Sequence, residues 1–545
     1  MITGNSPGIY IKENNLAESP RTQIYHRGAI VGQFASGPIN QRFLTDSKGL
    51  SVFGDIDEKR FGYAHLSARV FLDIGDSCYI TRLAPNARFA GCMIRFDGKF
   101  NSSISITEGI ENSLIEEINE GTASYPFTDK DLFLIMPKYA SDTTPYYIRV
   151  YPDTINLDSN YFYVDVVESG SNIPAESFRV HLAQKLVSGV QYNVADKINN
   201  QSTLITVIQN QNNPDFVQNP DFRFINTYDA GSSDAPGIEM TGGYSGDAPT
   251  EDDIIEAWQN LYADKDQCSI DLLINAGYTE KRIQDTLIDI CQTRMDCIAL
   301  LDVPLEYQTN VQSIISYRRT VQEINDKHGV LIVSSPLYLD RSRDLQLYIP
   351  CSGALAATIA FSDKASNHCP WYSPGNDTRG QTSPNVLGFK LEFDRDDMDA
   401  LTSNNICYYK TYDTVGIRLT ETLTLTKLDS PEKNLSVVRM QCYLNRRLTQ
   451  TLDWSLFDPN DENTRVKVRN GIDGILSYVQ ANRGISEYSI VCDESNNPEE
   501  AVMRGDLYVD INYIAVMPVR QIIMRVTLNR ITQATFNSIQ VYSFQ

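Results

Sequence analysis

Histidine, tryptophan and long apolar runs are scarce in this sequence of 545 residues, which has 5 His and 3 Trp. Nothing in it approaches the ~18 continuous apolar residues of a membrane span, and no basic stretch followed by an apolar run opens it. We therefore expect a chain that is made in the cytoplasm and does not insert into a membrane. The P-loop, dinucleotide-binding, nucleophile-elbow and zinc-protease motifs are absent as well, so no cofactor, metal or catalytic residue is predicted.

Basic residues are also in deficit, with 47 Lys and Arg against 69 Asp and Glu, a formal net charge of −22. Binding to phosphate backbones requires a dense field of positive charge, so this balance argues against a direct nucleic-acid partner. The 10 cysteines are scattered and contain no C-x-x-C pair. Buried free thiols are the favoured interpretation, over a disulfide framework or a zinc site.

Three features come nearest to an active or metal site. Gly242–Gly246 resembles a nucleophile turn, but its spacing is wrong and a glycine-rich domain junction is preferred. Asp394–Asp399 has the charge of a calcium loop without the glycine and the final glutamate that such a loop needs, which favours an acidic helix start. None of the five histidines has a ligand-like spacing, and no partner that would make one a general base can be named; they are His26, His65, His181, His328 and His368.

The two ends of the chain both read as strands on flexible joints. Near the start, Ile9–Lys12 follows the turn pair Pro7-Gly8 and precedes a polar stretch. Near the end, beyond Pro518, apolar and polar residues alternate strictly, as in a strand with one apolar face. That face consists of Ile522, Met524, Val526 and Leu528.

Between the ends, the pattern predicts an α/β core with a mainly parallel sheet and flanking helices, interrupted by a β-rich insert. In the second core segment, apolar strands such as Ile270–Ile274 and Cys297–Leu301 alternate with helical spacings such as Glu280–Gln292 and Val311–Lys327. Six segments are predicted: an N-terminal arm (1–25), the first core part (26–90), the β-rich outer insert (91–240), the second core part (241–430), a C-terminal helical and strand domain (431–517) and a C-terminal arm (518–545).

Motifs spread along the chain, and in the same order, resemble those of the tail sheath proteins of contractile phage tails and of related particles such as R-type bacteriocins. The insert matches only loosely, and Ala515–Arg520 departs from the Pro-Val-Lys-Pro-Ala-Glu-like run that often closes the family's sequences. The stretches that support the resemblance include Ser6–Glu13, Gly37–Asn40, Phe71–Gly75, Tyr79–Arg82, Gly242–Gly246, Trp371–Gly375, Phe457–Asn460 and Cys492–Glu494.

This resemblance implies a structural subunit of the virion tail, not an enzyme. Sheath subunits stack as hexameric rings around a tail tube, contact baseplate and tail terminator proteins, and contract without nucleotide hydrolysis to drive the tube through the host envelope. The terminal arms of neighbouring copies add as strands to a small sheet in a third copy, which is β-augmentation. The implied strand donors are Ile9, Tyr10, Ile11, Lys12, Ile522, Met524, Val526 and Leu528, and the implied acceptors are Tyr488, Ile490, Cys492, Leu507, Val509 and Ile511.

One concentrated basic region remains to be placed. A solvated helix face and a strip that docks on an acidic partner are both open interpretations, and the resemblance implies that the strip faces the tail tube. It comprises Arg439, Arg446, Arg447, Arg465, Lys467 and Arg469. Two alternatives to a sheath subunit are a hydrolase on a subtilisin-like α/β core and another ring, tube or baseplate component of a contractile injection system.

Overall fold

The computed structural model describes residues 27–96, 101–153, 161–210, 237–413 and 415–520, together with Ile522 and Met524. The chain divides into two compact units, with the boundary between Pro459 and Asn460. The predicted N-terminal arm and the donor residues Val526 and Leu528 lie outside the described residues.

An eight-stranded sheet forms the centre of the first unit. The strand order is β2-β3-β1-β16-β17-β18-β22-β23, in which the six inner strands are parallel and both edge strands are antiparallel to their neighbours. The strands are β1 (Arg27–Gly32), β2 (Phe43–Thr45), β3 (Ser77–Arg82), β16 (Leu272–Ile274), β17 (Ile298–Asp302), β18 (Gly329–Val333), β22 (Ile406–Tyr412) and β23 (Gly416–Leu419). The central strands β16, β17 and β18 are almost wholly apolar, as expected for a parallel sheet that helices cover on both faces.

The helices of this core form two layers. One layer buries Trp258 and Leu287 against the sheet, and the other buries Phe71, Leu355 and Val438. The core helices are α1 (Glu58–Phe61), α2 (Ala64–Leu72), α5 (Glu251–Tyr262), α6 (Lys281–Arg294), α7 (Val311–Tyr317), α8 (Ser352–Ala365), α9 (Arg395–Ser403) and α10 (Leu435–Leu452). A small three-stranded sheet beside them has the order β20-β19-β21 and comprises β19 (Pro336–Asp340), β20 (Leu345–Tyr348) and β21 (Val386–Phe389).

The predicted α/β core is confirmed, with adjustments at element ends. Helix α7 stops at Tyr317 and passes into a wider turn over Arg318–Gln322, so the predicted helix over Val311–Lys327 is too long. The acidic helix start is α9, where Asp394 and Asp397 form a reciprocal capping box. All ten cysteines are buried and unpaired, as predicted.

Helix α10 lies on the C-terminal side of the predicted domain boundary at 430/431. Its residues Leu435, Val438 and Cys442 pack into the same hydrophobic cluster as the central sheet, so this helix belongs to the α/β core. The division falls 29 residues later, at Pro459. An apolar face at helical spacing reveals that a helix is buried, but not which neighbouring element buries it.

The insert consists of two four-stranded sheets whose inner faces share one apolar core. Phe133 and Phe162 stack across it with their ring centroids 5.9 Å apart. One sheet has the order β11-β10-β9-β15 and the other β14-β8-β5-β6. The elements are β4 (Arg88–Phe89), β5 (Cys92–Phe96), β6 (Asn101–Ser105), β7 (Ile110–Glu111), α3 (Asn112–Glu120), β8 (Asp131–Pro137), β9 (Tyr146–Pro152), β10 (Phe162–Glu168), β11 (Pro174–Val180), β12 (Leu186–Val187), β13 (Val190–Gln191), α4 (Val194–Gln201), β14 (Ile205–Gln209) and β15 (Ile238–Glu239).

The insert leaves and rejoins the core through two adjacent chain segments. Gly91 pairs with Thr241, and the N–H of Gly91 donates to the carbonyl of Thr241 at 3.0 Å. Gly242 has φ +86°, and a Cβ added there would lie 2.3 Å from the carbonyl oxygen of Ile106. Glycine is therefore required at the predicted junction because another backbone segment approaches it too closely for a Cβ atom; the junction is not a nucleophile turn.

Candidate assembly interface

The second unit contains a two-stranded antiparallel hairpin that packs on one long helix. The elements are α11 (Glu462–Ala481), β24 (Ile485–Val491), α12 (Glu499–Arg504) and β25 (Asp510–Ala515). In the hairpin Tyr488 lies opposite Tyr513, and Ile490 lies opposite Ile511. Asp461 caps α11 by accepting the N–H of Thr464 at 2.8 Å.

Both outer edges of this hairpin lack a strand partner among the described residues. In an antiparallel ladder every second residue of an edge strand directs its N–H and C=O groups away from the sheet, where another strand can pair with them. A two-stranded sheet is at best marginally stable by itself, and here α11 supports one face. The hairpin can therefore accept one strand at each side.

Side chains alternate between the two faces of the hairpin. Tyr488 and Ile490 are half-buried on the helix side, while Glu487 and Ser489 are exposed. The Tyr488 hydroxyl donates to the Asp473 carboxylate of α11 at 2.7 Å, and this hydrogen bond raises the pKa of Tyr488. Helix α11 beneath β24 thus fixes which of its side chains face inward, and with them its register, because successive side chains of a strand point to opposite faces.

The predicted acceptor strand over Leu507–Tyr513 is corrected by the structure. The strand is Asp510–Ala515, so Leu507 and Val509 precede it, whereas Ile511 lies within it. The cause is Asn497, whose side chain accepts the N–H of Tyr508 at 2.7 Å and donates to its carbonyl at 2.9 Å. Because the Asn497 side chain occupies the backbone N–H and C=O of Tyr508, pairing with β24 begins only at Asp510.

Two further features of this unit differ from the sequence analysis. Cys492 was predicted as an acceptor residue, but it follows β24 and is buried. The short helix α12 was not predicted at all; it buries Ala501 and ends at Gly505 with φ +83°. Pro498 directly before the helix and Gly505 directly after it are the sequence signals that mark this helix.

Past the hairpin the described chain exposes a series of apolar side chains. Of the predicted donor residues, Ile522 and Met524 are 81% and 82% exposed. Val519 and Met517 are exposed as well. No packing within the described residues covers these four side chains, which is the state expected of a segment whose partner is another molecule.

The basic residues do not form the predicted strip. Arg439 is buried in an ion pair with Asp363, and Arg446 pairs with Asp271 and donates to the carbonyls of Ile270 and Asp296. These two arginines hold α10 on the core and are not available to a partner, so the prediction is wrong for them. Sequence spacing could not reveal this, because the acidic partners lie more than 70 residues away in the chain.

The other basic residues each have a different environment. Arg447 is half-buried on α10. In the second unit Arg465 donates to Asn460 at 3.1 Å, and Arg469 donates to the carbonyl of Cys492 at 2.8 Å. Lys467 is exposed, and its ammonium makes no ion pair with the described residues.

A hydrolase on this core would need a histidine beside a serine and an aspartate in one accessible pocket. His181 accepts the N–H of Ala183, and His328 pairs with Asp326. Among the close Ser–Asp pairs of the described residues, Ser352 with Asp302 at 2.6 Å is buried on both sides and joins the N-terminus of α8 to the end of β17. Burial raises the pKa of Asp302. This pair serves as a helix cap with no route for a substrate, so a hydrolase is not favoured.

The part of the chain that the structure describes holds neither a metal-binding cluster nor a membrane-spanning helix. No group of three or more His, Cys, Asp or Glu side chains is arranged to hold a metal ion there. No helix among these residues combines the length and apolar character that crossing a membrane requires.

Comparison with known proteins gives a consistent group of relatives. A family model described as the phage tail sheath C-terminal domain matches residues 429–529. The tail sheath protein of Vibrio phage KVP40 is 26% identical over 420 residues, which cover 71% of this chain and 59% of that protein. The tail sheath protein of Enterobacteria phage T4 is 26% identical over 321 residues, which cover 55% of this chain and 47% of that protein. The chain thus spans about half to three fifths of the length of these curated relatives.

The fold has a counterpart among solved structures. The crystal structure of the sheath tail protein from Listeria innocua covers 90% of this chain and 95% of its own, with a TM-score of 0.55 and 9% identity. At this identity the likeness concerns the fold alone. Together with the sequence relatives, it confirms the predicted resemblance to sheath proteins of contractile tails, which are structural components of the virion.

Proposed function

We propose that this chain is a sheath subunit of a contractile tail, which polymerises as stacked hexameric rings around a tail tube and forms part of the virion. The hairpin β24–β25, with two edges open to strand addition, is the observation that carries this proposal. The exposed apolar side chains of Ile522 and Met524 fit the role of a donated strand. The match of residues 429–529 to a sheath domain covers the described residues of this unit.

In the proposed assembly, Ile9–Lys12 of one copy and residues 519–528 of another pair with the hairpin of a third. Main-chain hydrogen bonds provide the affinity, and the alternating side chains select the register. Because each donated strand remains covalently tethered to its own core, the cores can rotate and slide during contraction while the pairing persists.

Contraction in this proposal needs no nucleotide. The extended sheath is a metastable state that converts to one of lower free energy when the tail is triggered. The absence of a P-loop from the sequence is compatible with such a stored-energy mechanism. Baseplate and tail terminator proteins would define the two ends of the cylinder, and the tube would line it.

Electron microscopy of the purified chain tests the proposal. Hollow striated cylinders are expected, and replacing Ile9–Lys12 by Gly-Ser-Gly-Ser should abolish them while leaving a folded monomer. The matched control makes the same replacement at Glu13–Leu16, outside the donor strand, and should retain cylinders. A chain that stays monomeric at high concentration would contradict the proposal, and isolated rings would favour a baseplate component.

A further inference from the structure

The short hairpin β12–β13 of the insert exposes apolar side chains at its end. Val187 pairs with Val190, and the two residues between them, Ser188 and Gly189, have φ +52° and +81°. Two successive positive φ angles are typical of a tight two-residue turn, which holds the end of a hairpin in one conformation. Leu186, Val187 and Val190 are 69%, 44% and 43% exposed. We call Leu186–Val190 the hairpin tip.

Three cations and two tyrosine rings lie at the base of this hairpin. The N–H of Tyr192 donates to the carbonyl of Lys185 at 2.9 Å, so these two residues face each other where the hairpin begins. The Lys185 ammonium lies 4.7 Å from the centroid of the Tyr161 ring, and the Arg179 guanidinium lies 4.0 Å from it. The Lys197 ammonium lies 4.5 Å from the Tyr192 ring. We call these five side chains the cationic patch.

The cationic patch carries an excess of positive charge in a chain with a net charge of −22. The one ion pair that its cations make with the described residues joins Arg179 to Asp153 at 2.7 Å. Asp196, the neighbour of Lys197 in the chain, accepts a hydrogen bond from an amide side chain instead. Burial and the nearby charge of Arg179 lower the pKa of Lys197, so the cations repel one another. An anion bound beside Lys185 and Lys197 would offset this repulsion.

The arrangement of these groups selects the kind of anion. At the boundary of a lipid bilayer, tyrosine rings lie at the level of the headgroups, and lysine and arginine contact anionic lipids. Apolar side chains beyond them can enter the acyl region. A soluble polyanion such as DNA would contact the cations but leave the hairpin tip in water. Apolar side chains at the tip, with cations and tyrosines at the base, therefore match an anionic bilayer.

We propose that the insert binds the surface of an anionic lipid bilayer through the hairpin tip and the cationic patch. Leu186 and Val187 enter the bilayer to a shallow depth, and the Lys185 and Lys197 ammoniums contact the phosphates of the headgroups. The contact is peripheral, so it requires no segment that spans the bilayer. It goes beyond the proposed function and needs no self-assembly. A chain that stays monomeric would overturn the proposed function without overturning this contact.

Vesicle flotation of the full-length chain tests the proposal. The chain should float with vesicles made of equal parts of phosphatidylglycerol and phosphatidylcholine, and should not float with pure phosphatidylcholine. Lys185→Glu combined with Lys197→Glu should weaken binding about 10-fold or more, because it reverses both unpaired charges. The matched control, Lys59→Glu combined with Lys265→Glu, changes the net charge equally at two exposed lysines and should bind like the wild type.

The hairpin tip is tested separately. Leu186→Ser combined with Val187→Ser should weaken binding about 10-fold with unchanged circular dichroism, because both side chains are exposed. Ile173→Ser, at another exposed apolar residue of the insert, is the control and should bind like the wild type.

A dye on the hairpin tip reports its depth in the bilayer. All ten native cysteines are buried, so Ser188→Cys can be labelled alone with the environment-sensitive dye NBD. Its emission should shift to the blue on anionic vesicles. Absence of that shift, or equal binding by the wild type and the Lys185 and Lys197 double variant, would overturn the proposal. Binding to DNA or heparin without binding to vesicles would overturn it as well, in favour of a soluble polyanion.

Discussion

Arg439 and Asp363 form an enclosed ion pair between helices α10 and α8. Two guanidinium nitrogens contact the two carboxylate oxygens, and the pair is buried almost completely. The Arg439 guanidinium also donates to the carbonyl of Pro370 at 3.3 Å. Removing one partner of such a pair leaves an uncompensated buried charge, whereas removing both does not.

The first prediction follows from this asymmetry. Arg439→Met should lower the free energy of unfolding by about 3–5 kcal/mol, and Arg439→Met combined with Asp363→Leu should recover most of that loss. Urea unfolding of the two variants, followed by fluorescence, measures the difference. Arg395→Met, at an exposed position on α9, is the control and should change stability by less than about 0.5 kcal/mol. Equal losses in the single and double variants would contradict the expectation.

His65 is a second buried group with an electrostatic consequence. Burial, together with the nearby charge of Arg69, lowers the pKa of His65 to about 4. Asp340 and Arg343 also face it, the former raising and the latter lowering its pKa. The imidazole is therefore neutral in the folded protein at pH 7.

The second prediction concerns acid stability. The pKa of His65 in the unfolded chain is near 6.5, so as the pH falls the unfolded chain binds the proton first. The contribution of His65 to stability is complete above about pH 6.5 and is lost by about pH 4, a change of about 3 kcal/mol. Urea unfolding between pH 7 and 4 should show this steep loss in the wild type and a shallower one in His65→Gln. His368→Gln, at an exposed histidine, should keep the wild-type slope.

At the scale of the elements, the hairpin β24–β25 is supported on one face only. One face rests on α11, the other faces solvent, and both edges are open within the described residues. By contrast, β17 is paired on both sides in the centre of the large sheet, and its residues are fully buried. The two elements should differ accordingly in how often their amides open to solvent.

The third prediction compares hydrogen exchange before and after assembly. In the monomer, amides of β24 and β25 that point outward should exchange rapidly, because only water satisfies them. In the assembled form the same amides should be protected, since donated strands pair with them. Amides of Ile298–Asp302 serve as the internal control and should be protected in both states. Unchanged exchange of the hairpin on assembly would argue against strand addition.

On the scale of the whole first unit, the insert and the core meet at a compact junction. Arg82 is fully buried there, and its guanidinium donates to the carbonyls of Gly37, Ala140 and Ser245 at 2.7–2.9 Å. Burial lowers the pKa of Arg82 to about 10, so it remains charged at neutral pH. One side chain thus ties a core loop, an insert loop and the returning chain together.

The fourth prediction is that the core folds without the insert. Because Gly91 and Thr241 are antiparallel partners, an Asn-Gly turn can replace residues 92–240 without moving either end. The shortened chain should give a cooperative melt and a helical circular dichroism signal per residue stronger than that of the wild type, because the β-rich part is removed. The midpoint of its thermal unfolding should be lower than that of the intact chain, because Arg82 loses its hydrogen bond to the carbonyl of Ala140. The control is the same turn inserted after Gly121 in the intact chain, an exposed helix end. Aggregation of the shortened chain alone would contradict the prediction.

Much of this architecture follows from local pattern. The period of the apolar residues predicts the strands around Leu272 and Ile298 and the helices between them, and the apolar strands predict a sheet covered on both faces. Of the predicted acceptor residues, Tyr488, Ile490 and Ile511 lie within β24 and β25, and their role as acceptors stays a prediction. Local pattern failed at Leu507 and Val509, where the Asn497 side chain takes the place of a ladder partner.

The sequence by itself determined most of the element types and the absence of recognisable catalytic motifs, because each of these depends on residues that are neighbours in the chain. Only the tertiary structure decided which charges are free. Arg439 and Arg446 looked like a surface strip, but their acidic partners are brought to them by the fold, and burial makes both ion pairs internal. The same holds for Arg179, Lys185 and Lys197, which only the folding of the insert brings onto two tyrosine rings.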